Sequence, residues 1–146
     1  MFFCFCFWEN HLTSFLYKKL QNVITFNTIL DTISKSKEKG AAARAESLLD
    51  RMQQMYLDGC KEVRPDTFSF ASVLNAYANS TEPNAAEKCE EILRHMQLLY
   101  EDGNKNVRPN TICFSTVIKA YAKSRRPDAA QVSENYKIYT TLGIRN

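Results

Sequence analysis

Apolar residues along this chain fall into helical stripes that return every 44 positions. Phe70, Val73, Leu74 and Tyr77 stand at i, i+3, i+4 and i+7, the spacing of one helical face. The stripe occurs earlier as Phe26, Ile29, Leu30 and Ile33, and later as Phe114, Val117, Ile118 and Tyr121. A second stripe follows, as Ala45, Leu48, Leu49, Met52, Met55 and Tyr56, and again as Cys89, Ile92, Leu93, Met96, Leu99 and Tyr100. No stretch alternates with a period of two, so helices alone are predicted. Asp66 after Pro65 reads as the start of a helix running to about Asn79. Ser80-Thr81-Glu82-Pro83 breaks the pattern, and Asn84-Ala85-Ala86-Glu87 restarts it with a cap and a glutamate three places on. Asp128-Ala129-Ala130-Gln131 repeats that device, and Gly40-Ala41-Ala42-Ala43 is its weakest copy. Gly59 and Gly103 read as helix stops.

The recurrence is also literal. Val63-Arg64-Pro65-Asp66-Thr67 returns as Val107-Arg108-Pro109-Asn110-Thr111, and 23–66 aligned with 67–110 shares 17 of 44 residues. Self-similarity at a period of ~20–50 residues marks a stack of small units, none able to bury its apolar face alone. The expected fold is all-α, a right-handed α-solenoid of helix-turn-helix repeats. The units are 23–66, 67–110 and a truncated 111–146, with 1–22 unassigned. The third ends before the Pro-Asp/Asn closure of the other two, which is expected of a fragment or a truncated gene model.

Composition narrows the function. A chain of 146 residues holds one such array and no separate catalytic domain. Residues 1–8 are nearly all apolar, but a bilayer span needs ~20 residues. They also lack the basic region and cleavage site of a signal peptide, so a mis-assigned first exon or a remnant of a preceding helix is expected over an anchor. Cys89 and Cys113 stand where other repeats carry Ala45 and Ser69, which makes them packing residues, and Cys4 and Cys6 fall short of a four-ligand zinc site. His11 is isolated, and His95 takes the place of Arg51. Paired carboxylates, a phosphate loop and a nucleophile–base pair are all missing from the sequence. No enzyme activity, metal, cofactor or small-molecule substrate is expected. The net charge is only +3, yet residues 103–127 carry six bases and no acid, while 66–102 carry seven acids and two bases.

Thr25-Phe26-Asn27-Thr28-Ile29-Leu30, Ser36, the Ala41-Ala42 pair, Leu48-Leu49 with Met52, Gly59 and the closing Val63-Arg64-Pro65-Asp66 resemble the pentatricopeptide repeat. The resemblance covers about 23–146, in a unit longer than the family's usual one. The tetratricopeptide repeat would open on Trp-x-x-Leu-Gly-x-x-Tyr, whereas Trp8 is the only tryptophan here. The pentatricopeptide resemblance implies single-stranded RNA binding, one base per repeat, with the first helices lining a groove. It also implies a role in organellar RNA processing or expression, in a mitochondrion or chloroplast.

On a helical wheel at 100° per residue, Ile24, Asn27, Asp31 and Lys35 fall opposite the core residue Phe26. This second stripe recurs as Phe68, Ala71, Asn75 and Asn79, and as Ile112, Ser115, Lys119 and Lys123. By resemblance, Ile24, Phe68 and Ile112 clamp between consecutive bases, while Lys35 and Lys123 meet phosphates. Asn27 with Asp66 implies a preference for uracil, Ala71 with Asn110 leans toward adenine, and Ser115 has no closing partner. A simpler account of some of these residues stands beside it. Asp66 and Asn110 suit helix N-caps, and Lys35 and Lys123 suit helix C-termini. Two other functions stay open: an α-solenoid scaffold for protein partners, and the repeat portion of a nuclease of the protein-only RNase P type with its metal-binding carboxylates outside this chain.

Overall fold

Asn22, Asp66 and Asn110 stand 44 residues apart, and each opens a helix by accepting from the backbone N–H three residues on. The distances are 2.9 Å from Thr25, 3.0 Å from Ser69 and 3.1 Å from Cys113. The computed structural model describes residues 22–36, 38–124 and 126–141. Residues 1–21, with Cys4, Cys6, Trp8 and His11, lie outside the described residues, as do Arg125 and 142–146. The helices are α1 (Val23–Lys35), α2 (Ala41–Leu57), α3 (Thr67–Asn79), α4 (Ala85–Glu101), α5 (Thr111–Ser124) and α6 (Ala129–Thr141). Among the described residues there is no strand, so the chain is all-α.

Two helix ends are built alike. Cys60 N–H donates to Met55 and Gly59 N–H to Tyr56, and Asn104 and Gly103 make the same bonds to Leu99 and Tyr100. These paired bonds close the last turn only when the glycine is left-handed. Gly59 has φ 98° and Gly103 has φ 97°. Each glycine leads into a short 3₁₀ turn, Lys61–Val63 or Lys105–Val107, whose valine is fully buried. Periodicity could not have shown these turns, because a three-residue element has no period to read.

The first helices form a row, α1 on α3 and α3 on α5; α2 and α4 each pack on their own first helix and on the next one, and α6 packs on α5. Phe70, Leu74, Leu93 and Met96 lie in the seams, each 1% exposed or less. Burying such a side chain stabilises by ~1.5–3 kcal/mol. Connectors are tied as well: Arg64 donates to Asn104 at 2.7 Å, and Thr67 to the Arg108 carbonyl at 2.9 Å.

Three expectations need correcting. Ile29 is 45% exposed where Val73 and Val117 are buried, because α3 and α5 each have a hairpin packed before them and no described helix precedes α1. Leu48, Met55, Tyr56, Leu99 and Tyr100 are half-buried rather than core. Asn84 makes no side-chain cap bond: its φ −100° and ψ 14° are turn-like, whereas Asp66 is extended at φ −125°, ψ 179° and aims its carboxylate at the helix.

Candidate functional site

The polar stripes of α1, α3 and α5 lie side by side because the first helices pack directly on one another. Between them opens a concavity of roughly 500 Å³. Phe68, Ala71 and Asn75 of α3 form its middle, Asp31 and Ser34 of α1 one wall, and Asn110, Ile112 and Thr116 the other. Phe68 is 52% exposed and Ile112 65%, so large apolar surface stands open beside polar groups. Ile24 is 72% exposed one repeat earlier. These three side chains stand 44 residues apart at one position of their helices.

Asn27 and Asp66 meet. The Asn27 amide nitrogen donates to both carboxylate oxygens of Asp66, at 3.2 and 3.3 Å. Ser69 joins them: its hydroxyl lies 2.6 Å from the Asn27 amide oxygen, and its backbone N–H caps onto Asp66. Asp66 is thus a helix cap and the partner of Asn27 at once. Asn27 is consequently a member of a polar cluster at the α1–α3 seam. Ser69 escaped sequence reading because its register holds Thr25 and Cys113 elsewhere.

The second pair differs. Ala71 has no polar side-chain atom, and Asn110 uses its amide oxygen on Cys113. Among the described residues the Asn110 amide nitrogen makes no hydrogen bond, and Asn110 lines the concavity. Ser115 turns its hydroxyl back to carbonyls of its own helix, Thr111 and Ile112. It is exposed but adds nothing to the concavity's walls.

The two lysines proposed for phosphate differ too. Lys35 is ion-paired with Asp31 at 2.6 Å, one turn back on α1. Lys123 donates to the carbonyls of Asn79 and Ser80 at 3.0 and 2.6 Å, at the C-terminal end of α3. Lys119 donates to the Asn79 amide oxygen at 2.9 Å, and Asn79 in turn donates to the Ser34 carbonyl of α1 at 3.1 Å.

Among the described residues, the cations of 103–127 take different partners. Lys105 lies 4.4 Å and Arg108 6.0 Å from the Tyr100 ring centre. Arg126 is paired with Glu87 and with Asp128, holding the Asp128 carboxyl below the ordinary carboxylate range. Among the described residues of this run, Lys119 and Lys123 are cations that reach the α3–α5 seam.

On the other face, α2 and α4 flank two smaller concavities, of roughly 300 and 250 Å³, that share Phe70, Gln53 and His95. Gln53 meets His95 at 3.3 Å, and the His95 ring lies 5.9 Å from that of Phe70. Among the described residues no group of three or more His, Cys, Asp or Glu side chains could hold a metal ion, and no helix is long and apolar enough to cross a membrane. Comparisons with family models, with curated proteins and with solved structures found no match to this chain.

Proposed function

We propose that this chain is a pentatricopeptide-type array, a right-handed α-solenoid that binds single-stranded RNA without catalysing a reaction on it, in organellar RNA processing or expression. The observation that carries this reading is the concavity between α1, α3 and α5. Exposed Phe68 and Ile112 line it together with a small residue, Ala71, and a hydrogen-bonding residue, Asn110. That combination suits a flat aromatic ring presented edge-on to a polar group. Stacking of a base on an aromatic side chain stabilises by ~1–3 kcal/mol. Ile24, Asn27 and Asp66 offer the preceding position, and Ile112, Ser115 and Lys123 the following one.

Few positions means weak binding. About three nucleotides engaged and few phosphate contacts give a shallow salt dependence, at about −0.7 in log K per contact for single strands. Electrophoretic mobility shift and anisotropy titration with short U, A, C and G homopolymers test this, with duplex DNA as competitor. A preference for single-stranded RNA over duplex is expected. Equal binding to duplex, or none to any RNA, removes the reading.

A protein-binding scaffold is the second reading. It is favoured by the apolar walls between α2 and α4, where Leu98 is 54% exposed beside the buried Phe70. Retention of a peptide partner by a chain that ignores RNA would decide for it.

A further inference from the structure

Charge is distributed unevenly along the candidate groove. On α1 the stripe holds Asp31 and Lys35 in contact at 2.6 Å, so their charges cancel. On α3 it holds Asn75 and Asn79, both neutral. On α5 it holds Lys119 and Lys123, and neither makes an ion pair among the described residues. Both ammonium groups instead converge on one residue, Asn79: Lys119 on its amide oxygen at 2.9 Å, Lys123 on its carbonyl at 3.0 Å.

The end of α3 compensates for part of this. A helix C-terminus carries roughly half a negative charge, against two positive ones here. Against that terminus alone the two ammonium groups leave about one and a half positive charges, and Glu82, which lines a concavity together with Lys123, makes no ion pair with it among the described residues. An ammonium group has three N–H donors. Lys119 spends one on Asn79, and Lys123 spends two, on Asn79 and Ser80, so three donors remain. Charge-assisted N–H···O bonds to phosphate are the strong class of hydrogen bond, and a phosphate group offers several acceptor oxygens.

We propose that Lys119 and Lys123, fixed side by side by Asn79, form a single phosphate-binding subsite at the α3–α5 seam, and that Asp31 silences the corresponding cation Lys35. This rests on the RNA reading for the identity of the phosphate, as a backbone group of a bound single strand. It departs from the expectation that Lys35 and Lys123 each meet a phosphate, because the cation of α1 is withdrawn and that of α5 is doubled. Lys119 is the new member. At its register the other repeats carry Asp31 and Asn75.

The test is the salt dependence of binding to an eight-nucleotide single-stranded RNA by the whole chain. Lys119→Gln with Lys123→Gln should flatten the slope of log K against log salt by about 0.7, the loss of one phosphate contact. Asp31→Asn should steepen it by a similar amount, a gain that a misfolded variant could not give. Arg94→Gln, on the opposite face, should leave it unchanged. Wild-type binding with an unaltered slope in the double variant overturns the subsite and leaves the RNA reading standing. If wild type binds no RNA, that reading falls, and the subsite is decided by inorganic tripolyphosphate. Selective shifts of the Lys119 and Lys123 ε-methylene NMR signals, without shifts at Lys35, would sustain it, and their absence would overturn it.

Discussion

The hydroxyl of Tyr77 on α3 donates to the carboxylate of Glu46 on α2, and the same bond recurs 44 residues on from Tyr121 to Glu90. Each joins a first helix to the second helix of the preceding unit. Glu46 also receives Lys88 at 3.3 Å, and Glu90 receives Tyr136 at 3.3 Å. Neighbouring units are therefore pinned by a charge-assisted bond at each seam.

Tyr77→Phe should destabilise the chain by about 1–2 kcal/mol, toward the low end for a bond to a charged group because Glu46 keeps Lys88. The pH dependence has a definite sign. Burial first, and Glu46 second, push the Tyr77 hydroxyl well above the ordinary tyrosine range. A raised folded-state pKa means stability that is full below the unfolded value, about 10, and declines as pH rises beyond it. Urea titrations at pH 8 and pH 11 should show a larger drop for wild type than for Tyr77→Phe. Equal drops would remove Tyr77 as its source.

Gly103→Ala should cost about 1–2 kcal/mol, the penalty for a left-handed alanine. An added Cβ would meet nothing within 4 Å, so the cost is backbone conformation and not a clash. Gly103→Asn, which tolerates that conformation, should cost less than alanine in a thermal melt. A larger loss for asparagine would contradict this account of the turn.

Cys89 and Cys113 should resist alkylation. Burial pushes the Cys89 thiol up to about 12 and raises that of Cys113. At pH 8 a thiol at about 12 is about one part in ten thousand thiolate, the reactive form. Iodoacetamide labelling read by peptide mass should therefore spare both until denaturant is added. Rapid labelling of Cys89 in the folded chain would show that the seam under α4 is open.

The sequence reveals most where a residue's role is local. Helix starts at Asp66 and Asn110, the stops at Gly59 and Gly103, and the open positions of Ile24, Phe68 and Ile112 all follow from spacing and residue type. What spacing cannot show is which side chains meet across 40 residues. The Ser69 link to Asn27, the Tyr77–Glu46 bond and the convergence of Lys119 and Lys123 on Asn79 depend on how α1, α3 and α5 stack. Ile29 failed for a related reason, since its stripe is helical but its burial depends on a neighbour.

Asn27 separates structure from recognition. Its amide joins the cap of α3 to α1 through Asp66 and Ser69, so Asn27→Ala should cost about 1 kcal/mol. A double-mutant cycle with Asp66→Ala should return a coupling on the order of 0.5–1.5 kcal/mol, because the two groups share one hydrogen-bonded cluster. If the pair also reads a base, Asn27→Ala should lower the preference for uracil at a single nucleotide. Binding is then compared with two RNAs differing at that base, at a temperature where wild type and variant are both folded. A lowered melt with an unchanged base preference would leave Asn27 a purely structural residue of the α1–α3 seam. Recognition would then have to be sought at Asn110, which lines the groove and whose amide nitrogen makes no hydrogen bond among the described residues.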